Sequence, residues 1–123
     1  KVICDASMPT FQLAYWARQR TRGERLPLEF MVAKIAAAPA RLYSFADRGT
    51  IEIGKRADIN VIDFDRLNLR LPRMVHDLPS GAGRLLQDSE GYVATLVAGE
   101  PVRLNDKDTG ARPGGLIRAA EVA

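Results

Sequence analysis

The sequence predicts an α+β fold in which helices come first and strands follow. Up to about residue 45 the apolar residues recur at three- and four-residue spacing, the period of a helix with one buried face. From Gly49 onward they fall instead into short runs rich in Val, Ile and Tyr, punctuated by Gly and Pro. The change at Gly49 is the single candidate boundary, separating residues 1–48 from residues 49–123. A chain of 123 residues that is 46% hydrophobic has enough apolar sequence to bury a core.

The elements follow in order. Val2 to Cys4 reads as the tail of a strand or a buried loop, and Asp5-Ala-Ser-Met-Pro as a turn into a helix. Ser7 is the expected N-cap, and Pro9 suits the first turn, where its missing N–H costs nothing. Phe11, Ala14, Tyr15 and Arg18 then share a face that Leu13, Trp16 and Ala17 widen, and Gly23 is the expected stop. A second helix from Pro27 places Leu28, Met31, Val32 and Ile35 on one side; Pro39 ends it or opens a third, shorter helix through Leu42, Tyr43 and Phe45. Gly49 and Gly54 bracket an extended run, Thr50 to Ile53. Ile59 to Phe64 and Tyr92 to Ala98 are the clearest strands. Gly99-Glu100 is the expected two-residue hairpin turn, returning through Val102 to Leu104. Between the two strands, Pro72 to Gly91 reads as loop with one short strand near Arg84 to Gln87, and Asn105 to Gly110 as a polar turn. A short apolar stretch around Leu116 and Ile117 ends the chain.

Eighteen Lys and Arg against fifteen Asp and Glu leave a net charge of +3. Arg18, Arg20, Arg22 and Arg25 cluster, but no recognition motif accompanies them. The cluster is read as a solvated helix end favoured by the helix dipole, and no nucleic-acid partner is expected. The lone Cys4 excludes an internal disulfide and reads as a small buried hydrophobe. With no apolar run long enough to span a bilayer, a cytoplasmic protein without a membrane partner is expected. A start at Lys1, inside an apolar run, is what a fragment of a longer protein would show.

Asp47 to Asp65, DRGTIEIGKRADINVIDFD, resembles the segment joining the catalytic barrel of an amidohydrolase to its companion β-domain. Three further stretches are similar to the C-terminal end of the N-acyl-D-amino-acid deacylase branch: MVHDLPSGAGRLLQ from Met74, GYVATLVAGE from Gly91 and TGARPGGLIR from Thr109. Upstream, ICDASMPTFQLAYWARQRTRG is similar to the loop and helix after the eighth barrel strand. The resemblance implies that residues 1–48 are the last loop and helices of a (β/α)8 barrel and residues 49–123 a sandwich-like companion domain. It also implies that the intact parent hydrolyses the amide bond of N-acyl amino acids or similar amides with a divalent metal, zinc above all. The chain is too short for such a barrel, which needs roughly 200 residues. Its expected partner is therefore the missing N-terminal barrel, together with self-association through exposed apolar helix faces.

A catalytic metal needs about three protein ligands and an open position for water. The sequence has one His and no H-x-H, so no metal or catalytic residue is expected in this segment. Asp5 superficially matches the Asp at the end of barrel strand eight. In the branch the chain resembles, however, that Asp sits several residues earlier, in an S/G-D-x-G-A-H motif missing here. Asp5 is thus placed in the following loop, and Asp5, Ser7 and Met8 are the candidates for substrate contact. His76, beside Asp77, reads as a hydrogen-bonded loop residue rather than a ligand, because the flanking sequence offers no partners. Ser80-Gly81-Ala82-Gly83 lacks the Lys-Ser/Thr of a phosphate loop and reads as a tight turn. Phe11, Tyr15 and Trp16 read as core. The alternative function is a non-enzymatic oligomerisation or assembly module.

Overall fold

A computed structural model describes residues 7–117; Val2 to Cys4 and Asp5 lie outside them. Helix α1, Ser7–Phe11, runs without a break into a π-helical segment, Gln12–Gln19. Helices α2, Leu28–Ile35, and α3, Ala37–Leu42, follow, and then eight strands. The expected α+β order therefore holds, with antiparallel pairing throughout the described sheets.

The first helix departs from its expected form in three ways. Ser7, the first described residue, is already helical rather than a cap outside the helix, and it is buried. Its second part is wound as a π-helix, so that the Arg20 N–H reaches back five residues to the Tyr15 carbonyl at 2.8 Å. It ends at Gln19, and Gly23, at φ +88°, turns the connection that follows rather than stopping the helix. Phe11 is also not core: it lies exposed and stacks on Tyr15 with centroids 5.0 Å apart, while Trp16 packs inward.

In α2 the buried side is Leu28, Met31 and Ile35; Val32, expected on the same face, is exposed. The helix is distorted at Ala36, still in the right-handed region at φ −117° and ψ −69°, and α3 begins. Pro39 falls in the first turn of α3, where no N–H is required of it. Gly49, at φ +92°, is held under α3: a Cβ there would lie 2.4 Å from that of Ala40. Thr50 to Ile53 joins no strand: Thr50 is a bend, Ile51 and Glu52 have no regular structure and Ile53 opens a turn, and the segment is braced by Lys55 to Glu52 and by the Arg56 N–H to the Asp47 carbonyl at 2.8 Å.

Strands β1 (Ile59–Ile62), β6 (Tyr92–Val97), β7 (Glu100–Leu104) and β8 (Lys107–Asp108) form a four-stranded sheet in that order. Ile59 faces Leu96 and Val61 faces Ala94, but Ile62 faces Tyr92, so Val93 is skipped in a bulge. The hairpin from β6 to β7 turns on Ala98-Gly99, not on Gly99-Glu100, because Val97 pairs with Glu100. Both turn residues take positive φ, +52° and +83°, the handedness that matches the twist of flanking strands. Asn105-Asp106 repeats the device at φ +48° and +64°, converting the expected polar turn into a hairpin with β8.

The passage from Pro72 to Gly91, expected to be mostly loop, holds the one short strand expected near Arg84 and two more. β2 (Asn68–Leu69) pairs with β5 (Ser89–Glu90), and β3 (Arg73–Val75) with β4 (Arg84–Leu86). Ser80 and Gly81, at φ +63° and +70°, make the tight turn between β3 and β4. Leu116 and Ile117 join no element and are exposed.

The core crosses the Gly49 junction. Leu13, Met31 and Leu67 are its buried centre, with Trp16, Ala17, Leu28, Ile62, Phe64 and Tyr92 packed around them. Leu67, with 0% of its surface exposed, comes from the turn between β1 and β2 and plugs the gap between the helices and the sheet. Gly91 makes this possible. It is buried at φ +98°, and a Cβ on it would meet the Cα and N of Leu67 at 2.7 Å.

Candidate functional site

Ser7 and Met8 stand at the start of α1, on a cleft of about 360 Å³ between the first helix and the β-region. Phe11, Gln12 and Trp16 continue the helical wall, and Leu69 and Gln87 close the other side. Ser7 is buried in it and Met8 is exposed at its edge. Asp5, the third expected contact residue, lies outside the described residues. The structure thus brings Ser7 and Met8 together with Leu69 and Gln87, which local sequence patterns could not associate with them.

The helix is fastened to the sheet by polar contacts that no local sequence pattern announces. The Thr10 hydroxyl and the Tyr92 phenol share a 2.7 Å hydrogen bond, and Thr10 is almost wholly buried. Arg18 donates from Nη2 to the Leu67 carbonyl and lies over the Phe64 ring at 5.3 Å. Gln19 donates to Asn68 at 3.2 Å. The expectation that the arginine cluster is a solvated helix end holds for exposed Arg22 and Arg25 and is corrected for Arg18 and Arg20. Arg18 is engaged across 49 residues of sequence; Arg20 lies over Trp16 at 4.7 Å and donates to the Arg22 and Glu24 carbonyls. A guanidinium is planar and weakly hydrated, which suits it to stack and donate at once. Gln12 Oε1 and Arg18 Nη1 are buried without a hydrogen-bond partner among the described residues.

A larger groove, of about 1050 Å³, opens between α2, α3, the turns after Gly49 and β1. Its walls are mainly apolar, from Leu28, Val32, Tyr43, Phe45, Ile51 and Ile59. At its charged end Arg48 pairs with Asp47 at 2.9 Å and reaches Asp58 at 3.5 Å, while Arg56 holds Asp58 at 3.1 Å. The Arg48 hydrogen bond pulls the Asp47 carboxyl below its ordinary range, and Asp47 in turn raises Arg48.

The other displaced groups are also ion pairs. A two-point contact with Arg84, at 2.7 Å on each oxygen, lowers Asp77. The Arg112 guanidinium, followed by the Gly110 N–H, lowers Asp108 to about 2. Glu52 is lowered by Thr50 and then by Lys55. These shifts hold carboxylates in their charged form; a general base for neutral pH needs the opposite displacement.

No three His, Cys, Asp or Glu side chains among the described residues are grouped so as to hold a metal ion. The donor set around His76 does not fit one: the ring lies exposed against Gly83, and neighbouring Asp77 is occupied by Arg84. No helix among the described residues is long and apolar enough to cross a membrane.

Comparison with known proteins gives two matches. The Amidohydrolase family profile matches residues 8–103. The N-acyl-D-glutamate deacylase of Alcaligenes xylosoxydans xylosoxydans is 37% identical over 95 residues, covering 77% of this chain and 17% of that protein. The chain thus spans less than a fifth of the length of the curated relative it matches. No solved structure matches it.

Proposed function

The chain belongs to the amidohydrolase family, in its D-aminoacylase-like part, and on that premise we propose that it is the C-terminal, structural portion of a metal-dependent enzyme hydrolysing N-acyl amino acids or similar amides. The observation that carries the reading is the pairing of a deacylase likeness with a described segment that groups no metal ligands. In such an enzyme a divalent metal, zinc in this reading, supplies a hydroxide at neutral pH and polarises the scissile carbonyl. The ligands belong to the preceding barrel. Residues 1–48 close that barrel and residues 49–123 form its companion domain.

In this reading Asp5, Ser7 and Met8 border the substrate pocket, and their part is shape and hydrogen bonding rather than bond cleavage. The barrel is the expected occupant of the apolar groove. Exposed Val32, Leu42, Tyr43 and Ile51 on or beside that groove support this, because exposed apolar patches of several hundred Å² mark interaction surfaces. In isolation the same faces would drive self-association, which is the form the assembly-module reading takes. A reducing, cytoplasmic setting fits the single cysteine.

The test is to assay the purified 123-residue chain with zinc and N-acyl-D-amino acids beside the complete enzyme. Turnover by the complete enzyme alone is the expected result. Turnover by the isolated chain would overturn the proposal.

A further inference from the structure

No further inference is drawn: the strongest candidate, the uncharged outer edge of β1 alongside the apolar groove, adds nothing to the docking surface already described, since nothing in the structure shows whether a strand, a helix or a second copy covers it.

Discussion

The two sides of the helical layer carry similar apolar side chains but meet different fates. On the sheet side, Leu13 and Met31 close around Leu67, and Thr10 to Tyr92 and Arg18 to the Leu67 carbonyl lock the seam. On the groove side, Leu42, Ile51 and Ile53 stay exposed, and Tyr43 is exposed with its ring stacked only on Phe45 at 6.1 Å among the described residues. Apolar pattern alone does not distinguish a closed core from an open face. What distinguishes them is the polar contact set. The seam is tied by the Thr10–Tyr92 hydroxyl pair and by Arg18 on the buried Leu67 carbonyl, with Gln12 Oε1 and Arg18 Nη1 left without a partner among the described residues.

The sharpest way to break this contrast is at Leu67. Leu67→Ala leaves a cavity where the helices meet the sheet, and the expected loss is about 2–5 kcal/mol, read from denaturant unfolding. A change below half a kcal/mol would mean that the two regions do not share a core. Gly91→Ala attacks the same point from the backbone. The added methyl meets Leu67 at 2.7 Å and the φ of +98° is strained for any L residue, so about 1–3 kcal/mol is expected. Tyr92→Phe removes the partner of a nearly buried Thr10 hydroxyl and should cost about 1 kcal/mol by the same measurement.

On the open side the prediction reverses. Ile53→Lys, at a fully exposed position, should alter unfolding by less than about 0.5 kcal/mol. Ile51→Lys, in the groove wall, should leave stability similarly unchanged but shift light-scattering mass toward the monomer. If it instead unfolded the chain, the groove would be part of the core. The smallest effect lies at Asp108, whose folded pKa is lowered from 3.8 to about 2 by Arg112. A carboxylate lowered in the folded state stabilises it above the ordinary pKa, and that contribution disappears as pH falls from about 4 to about 2. Both partners are solvent-exposed, so the dependence should be slight and salt-sensitive. Comparing acid unfolding of the parent and Asp108→Asn at low and high salt would detect it.

Local signals in the sequence read true where a short-range rule decides the outcome. Period changes separated helices from strands, Pro39 found its first turn, and Gly49 and Gly54 both took positive φ. The β6–β7 turn was misplaced by one residue because Gly99 can serve as either central residue, and nothing local announces that Ala98 will accept φ +52°. Long-range contacts were not legible. Arg18 was read by its charge and its neighbours, while its role depends on a carbonyl 49 residues away. The same holds for the cleft: Leu69 and Gln87 come to lie opposite Ser7 and Met8 only through the pairing of β2 with β5 and the chain leading into it. Of the short strands, β4 falls where one is expected near Arg84 to Gln87, but β2, β3 and β5 are too short to give a periodicity signal, and no local pattern announces the β2–β5 and β3–β4 pairings.

The proposal that this chain is the non-catalytic portion of a longer amide hydrolase is tested most directly by recombination. The segment preceding Lys1 in the intact enzyme would be produced separately, loaded with zinc, and titrated with the 123-residue chain while amide hydrolysis is measured. The account predicts that the chain alone is inactive and that activity rises saturably as it is added to the preceding segment. Hydrolysis by the chain alone, or a preceding segment whose stability and activity are indifferent to it, would contradict the account.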